Sequence, residues 1–167
     1  MKILTRLIAA FIIGFGLDGL SKIWAERSLV IFEPIPVIGE FFRFTLGYNT
    51  GIAFGLFANG GVWPLVVTGI VITILSIWFV KGIKKSQFPP SAGWAIGLLL
   101  GGAIGNFVDR VPDGRVTDFL DVGIGQSRWP TFNLADSFIL IGLFFLMLTE
   151  MMASSPAPQN DEREEST

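Results

Sequence analysis

The chain contains neither cysteine nor histidine, and these absences exclude more than its composition otherwise would. Without cysteine there are no disulfides, thiolate nucleophiles or thiolate-bound metals, and the redox compartment leaves no mark. Without histidine there is no Ser-His-Asp triad, no H-E-x-x-H zinc helix and no haem ligated through imidazole. Charge is also scarce: Asp, Glu, Lys and Arg make up 16% of the residues, the net charge is -2, and the basic residues are scattered. No electrostatic footprint for nucleic acid follows. If the chain is an enzyme, Asp, Glu, Lys, Arg, Asn, Ser, Thr and Tyr do its chemistry. Hydrolysis then narrows to carboxylates or a Ser-Lys pair.

What is present is apolar. Over 167 residues, 51% are hydrophobic and the mean hydropathy is +0.61, which predicts an integral membrane protein of one domain. The fold class expected is mainly α, with four transmembrane helices and a small extracytoplasmic β-sheet. The first span covers about residues 4–24, long enough to cross a hydrocarbon core that needs roughly 20 residues. A secretory signal peptide competes for this stretch, given Lys2 and Arg6 ahead of the apolar run. No small-x-small cleavage site follows, and Asp18 and Lys22 continue the helical register, so a retained span is expected. Residues 62–80 form a second span, closed by Lys81, Lys84, Lys85 and then Pro89-Pro90. Residues 92–108 form a third, with Gly97, Gly101 and Gly105 four apart on one face, where small residues let helices approach closely. Residues 134–152 form a fourth.

Between the first two spans, residues 25–61 read as a surface sheet. Pro34 and Pro36 force extended backbone, and Phe42, Phe44 and Leu46 alternate with Arg43 and Thr45. The single domain is expected over residues 1–153, and residues 154–167 as a disordered cytoplasmic tail. Lys2, Arg6 and the lysines between spans two and three place both termini inside. The segments 25–61 and 110–133 then meet at the outer face.

Acidic residues gather after the third span: Asp109, Asp113, Asp118, Asp121 and Asp136. Asp113 lies in a Pro-Asp-Gly turn and reads as a solvated turn residue. Asp109 has Arg110 and Arg115 as candidate partners. Asp118 shares a strand face with Val116 and Leu120, opposite Thr117, Phe119 and Asp121. Asp136 has a structural reading as the N3 residue of a helix capped by Asn133. Asp18 and Lys22, four apart, read as an ion pair that either neutralises two interfacial charges or braces a site. Ser21-Lys22 suggests a Ser-Lys hydrolase, but adjacent helical positions do not face each other. Two carboxylates held close, Asp118 and Asp136, share one proton and split their apparent pKa values. One then acts as base on a water while the other polarises a carbonyl and feeds the leaving amine. As the capping residue, Asp136 is expected to be the more easily ionised, with Asp118 holding the shared proton.

Taken in order, Asp18-x-x-Ser21-Lys22, Asn49-Thr50-Gly51-Ile52-Ala53-Phe54, Gly101-Gly102-x-x-Gly105-Asn106-x-x-Asp109-Arg110, Val116-x-Asp118-Phe119 and Phe132-Asn133-x-Ala135-Asp136 resemble the bacterial lipoprotein signal peptidases, or type II signal peptidases, across nearly the whole chain. The resemblance implies an intramembrane aspartyl endopeptidase of the bacterial inner membrane. It would remove the signal peptide of diacylglyceryl-modified prolipoproteins, cutting just before the lipidated Cys, at the outer leaflet. It also implies that Asp118 and Asp136 are the catalytic dyad. Asn49, Gly51, Asn106, Arg110, Asn133 and Ala135 are implied to bind substrate or shape the site, with Asp18 and Lys22 nearby. The family fold is a four-helix bundle with a sheet that cradles the substrate. The partners expected are that prolipoprotein and membrane lipid. No nucleic acid, metal or organic cofactor is expected, and a monomer is the expected state.

A small transporter or lipid-binding scaffold with a buried Asp/Arg network is the alternative, separated by turnover of peptide. A presenilin-like protease would carry Gly-x-Gly-Asp on a span, but Gly123-x-Gly125 is followed by Gln126.

Overall fold

The computed structural model of the protein describes residues 2–52, 56, 57 and 60–153. The expected disordered tail, and Ala53 and Phe54 of the Asn49 motif, lie outside the described residues. Within them the order is α1 (Lys2–Ser28), β1 (Ile35–Ile38), β2 (Phe42–Asn49), α2 (Trp63–Lys84), α3 (Ala92–Arg110), β3 (Val116–Ile124), β4 (Ser127–Arg128) and α4 (Leu134–Ala153).

The helices form because long apolar runs lack proline beyond their first turn, and they end where prolines and turns return. Pro64 sits in the first turn of α2, where its missing N–H is an orphan in any case. α1 buries one stripe, Ala10, Gly14, Asp18, Lys22 and Ala25, and exposes Leu4, Ile8, Ile12 and Leu20 on the other side. Exposed aliphatic residues in such density suit lipid rather than water. By length and composition α1, α2 and α3 are each able to cross a membrane, and α4 is apolar from Leu134 to Thr149.

α3 is the central helix and packs on both α1 and α4. Its glycines explain how closely. A Cβ at Gly97 would run into the Leu7 carbonyl and lie 2.7 Å from Ala10 Cβ, and one at Gly101 would lie 2.9 Å from the Phe11 carbonyl. On another face, a Cβ at Gly102 would strike the Ala135 carbonyl of α4. Away from the sheet the bundle closes around Phe79, Ala92, Ala95, Ile96, Leu99 and Leu146.

The sheet departs from expectation. It is a four-stranded antiparallel sheet in the order β1-β2-β3-β4, so residues 25–61 supply only half of its strands. A two-stranded ribbon is marginal on its own. Here β3, far along the chain, pairs with the free edge of β2, setting Arg43 opposite Asp121 and Gly47 opposite Asp118. α1 also runs on to Ser28, past the expected end of the first span. Its last turn shares a second core, with Ala25, Leu29, Leu46 and Phe119 buried together. The ends of α1 and α3, the start of α4 and the sheet therefore meet at one end of the bundle.

Candidate active site

The site is built on the N-terminus of α4. Asn133 caps the helix: its Oδ1 accepts the Asp136 N–H at 3.0 Å, and Asp136 Oδ2 accepts the Asn133 N–H at 3.3 Å. This reciprocal pair is a capping box with Asp in the acidic position. The cap leaves Asp136 Oδ1 pointing at α3, where Asn106 Nδ2 donates to it at 2.8 Å. The same cap turns the Asn133 amide towards β3, and Asn133 Nδ2 donates to Asp118 Oδ1 at 2.7 Å. One asparagine thus joins the two carboxylates that the sequence singles out, and its capping role and site role are served at once.

Behind Asp136 stands a charged cluster from α1 and α3. Lys22 Nζ lies 2.8 Å from Asp18 Oδ2, 3.3 Å from Asp109 Oδ2 and 2.9 Å from Asn106 Oδ1. Asp18 Oδ1 accepts the Ala135 N–H at 2.9 Å, so α1 supplies a second cap to α4. Gly105 makes this possible, since a Cβ there would sit 2.6 Å from Asp18 Oδ2. Asp18 and Lys22 are the expected i,i+4 pair, and they also brace the start of α4. Asp109 pairs with Lys22 and accepts the Thr117 N–H at 2.8 Å. It is not the partner of Arg110 or Arg115, because the end of α3 aims it at α1 and β3.

Asp118 is 2% exposed. Burial first, and then the charge of Asp136, push its carboxyl up to about 7, against opposing donation from Asn133 and Asn49 and the Lys22 charge. Asn49 Oδ1 accepts the Gly51 N–H at 2.9 Å, which leaves its amide N–H groups for Asp118. The expected alternation holds from Thr117 to Phe119 but not at Leu120, which packs on the same core cluster as Phe119, and the N–H groups of both donate to the Phe132 carbonyl. Thr117 Oγ1 donates to Glu26 of α1 at 2.9 Å and Phe119 meets the Trp24 ring edge-on, while Asp118 turns to Asn133. Arg110 is buried, donates through Nη2 to the Gly51 carbonyl at 2.5 Å, and has no partner for its buried Nε among the described residues. Asn49, Gly51, Asn106, Arg110, Asn133, Ala135, Asp18 and Lys22 therefore all lie in the connected shell around Asp118 and Asp136.

Other candidates fall away. Ser21 Oγ donates to the Asp18 carbonyl at 2.8 Å, and Lys22 is occupied by Asp18, Asp109 and Asn106, so Ser21 and Lys22 do not pair. Asp113 binds Arg115 at 2.7 Å in an exposed turn. Among the described residues no group of three or more Asp or Glu side chains is arranged to hold a metal ion.

Sequence reasoning missed the ion cluster around Asp121. Arg43 Nη2 and Arg128 Nη2 lie 2.8 and 2.7 Å from its two oxygens, and Thr45 Oγ1 donates at 2.9 Å. Burial would raise this carboxyl, but the bonds from Arg128, Arg43 and Thr45 prevail and hold it below the usual carboxylate range. The available signal was the alternation of Arg43 and Thr45 with apolar residues in β2. Their partner strand lies 78 residues away from Arg43.

Known proteins resemble the chain over most of its length. A family model described as signal peptidase (SPase) II matches residues 10–152. A lipoprotein signal peptidase of Syntrophotalea carbinolica is 39% identical over 146 residues, covering 86% of this chain and 88% of the relative. A namesake from Coxiella burnetii is 36% identical, covering 85% and 87%, and one from Xanthomonas campestris pv. campestris is 38% identical, covering 85% and 84%. Two solved bacterial membrane enzymes share the fold. One has a TM-score of 0.78 at 28% identity, covering 98% of this chain and 96% of that one. The other has a TM-score of 0.74 at 30% identity, covering 91% and 96%.

Proposed function

The chain belongs to the signal peptidase II family, and from that premise we propose that Asp118 and Asp136 form the catalytic dyad of an aspartic endopeptidase acting on diacylglyceryl-modified prolipoproteins. The observation that carries this reading is the shared Asn133, which binds Asp118 through its side chain and caps Asp136. It couples the two carboxyls while their surroundings differ. Asp136 meets amide donors at both oxygens and acts as the carboxylate. Asp118, pushed up to about 7, carries the proton.

In the reaction Asp136 takes a proton from water, and the oxygen attacks the scissile carbonyl carbon as Asp118 gives its proton to the carbonyl oxygen. The tetrahedral diol collapses as Asp136 passes its proton to the leaving nitrogen and a diol hydroxyl returns one to Asp118. The C–N bond breaks, leaving a carboxylic acid on the signal peptide and a free amine on the lipidated Cys. The dyad ends in its starting state. Asn49, Gly51, Asn106, Arg110, Asn133 and Ala135 hold this arrangement and border the substrate.

With the basic α2–α3 turn inside the cell, both termini are cytoplasmic and the dyad lies at the outer leaflet of the inner membrane, level with the lipid of its substrate. The test is cleavage of a diacylglyceryl-modified prolipoprotein by the purified protein, beside an unlipidated copy. Cleavage of the lipidated form alone is expected. A folded protein that cuts neither form rejects the proposal.

A further inference from the structure

We propose that Lys22 is a positioning residue for the dyad: by occupying the oxygen of the Asn106 side-chain amide, it obliges the nitrogen of that amide to face Asp136. The proposal rests on the dyad reading above and deepens it.

A lysine ammonium only donates, so the Asn106 atom 2.9 Å from Nζ is necessarily the acceptor Oδ1. The other amide atom, Nδ2, then faces Asp136 Oδ1 at 2.8 Å, and an NH2 group also only donates. The second oxygen of Asp136 meets a backbone N–H, that of Asn133. A donor at each oxygen stabilises the charged form of Asp136, which favours the shared proton on Asp118. Lys22 itself is fixed from the far side by Asp18 and Asp109, and is 5% exposed. A freely turning amide in its place would offer Asp136 an acceptor as readily as a donor. The charged groups surrounding this relay are Asp18 and Lys22 on α1, Asp109 and Arg110 on α3 and Asp118 on β3. Among the described residues Lys22 makes no hydrogen bond to Asp118 or Asp136; its charge reaches both through space, and its hydrogen-bonded route to Asp136 runs through Asn106.

The test is the pH profile and rate of cleavage of a diacylglyceryl-modified prolipoprotein by Lys22→Met, Asn106→Ala and the double variant. Lys22→Met is expected to lower kcat by roughly a hundredfold, as misplacement of a reacting group does, with KM nearly unchanged. The acid limb of its profile, which belongs to the dyad as a pair, is expected to move to higher pH, and Lys22→Arg, which keeps a donor-only group, to restore it. In the Asn106→Ala background, Lys22→Met should cost little more, because the relay is already cut. Additive losses, or an acid limb that stays in place in Lys22→Met, would overturn the proposal. Should Lys22→Met not fold, Lys22→Met combined with Asp18→Asn, which removes the stranded carboxylate, carries the same comparison. If the wild type cleaves and only these outcomes fail, the relay is wrong. If the wild type does not cleave, the peptidase reading is wrong.

Discussion

Asp118 and Asp121 lie three residues apart on one strand, are exposed by 2% and 3%, and yet are opposite in character. Asp121 is sealed by its own ion partners: Arg43 and Arg128 cover it on the sheet, and their charges hold it ionised. Asp118 is sealed by the protein interior, where its partners are neutral amides and the charge that weighs most on it is that of another carboxylate, Asp136. Loss of water alone does not decide what a buried carboxyl does. A guanidinium partner makes a structural anion, whereas amides and a like charge make an acid that holds its proton near neutrality.

The two aspartates should differ most in what their loss does to cleavage. Asp118→Asn and Asp136→Asn should each lower cleavage by roughly 10²–10⁴-fold, the usual worth of a positioned acid or base, while the protein stays folded in the membrane. Normal turnover in either variant would end the distinction between the two aspartates of β3. A smaller loss is expected from Gly105→Ala, whose Cβ would displace Asp18 from the start of α4. Cleavage should fall by about tenfold, and a variant as active as wild type would show that the Asp18 cap is dispensable.

The pH dependence separates the two aspartates by sign. Asp118 is protonated below about 7, so kcat/KM should decline as pH rises through that value. Its raised carboxyl favours the folded state fully below the ordinary value of 3.8, and that contribution is lost as pH climbs towards about 7. Asp121, held below the ordinary range, contributes stability above 3.8 that disappears as the solution is acidified through its lowered value. Thermal unfolding followed across this range should therefore show Asp118→Asn flattening the loss of stability between pH 4 and 7. Asp121→Asn should lower the unfolding temperature at neutral pH. A common response in both variants would refute the contrast.

The smallest effect belongs to activity in Asp121→Asn, expected to stay within about twofold per folded molecule. Asp113→Ala, which removes only an exposed turn pair, should change neither rate nor stability measurably. A large loss of kcat in either would extend the site beyond the Asn133 network.

Much of the molecule was legible in one dimension. Hydropathy runs and their breakers are local properties, so the helices appear close to where they are expected. The glycine spacing of α3 likewise announced a close-packed face before its partners, Leu7 and Phe11, were known. The i,i+4 spacing of Asp18 and Lys22 and the Asn133-to-Asp136 cap were readable because helix geometry alone sets them. Asn49, Asn106 and Arg110 of the candidate site were legible only through the motifs that carry them, not through any physical spacing between them.

Tertiary structure decided what depends on contacts between distant segments. Strand pairing follows from which edge is free after folding, so neither the junction of β2 with β3 nor the Arg43, Asp121 and Arg128 cluster was visible in either strand alone. Asp109 pairs with Lys22 because α3 ends against α1, a fact no local pattern encodes. The sequence by itself determined a membrane-embedded bundle of helices and the identity of its polar residues, since burial in lipid and helical periodicity act residue by residue. The division of labour among buried carboxylates was decided only by the fold, because a carboxyl takes its protonation from the donors and charges that packing brings within reach.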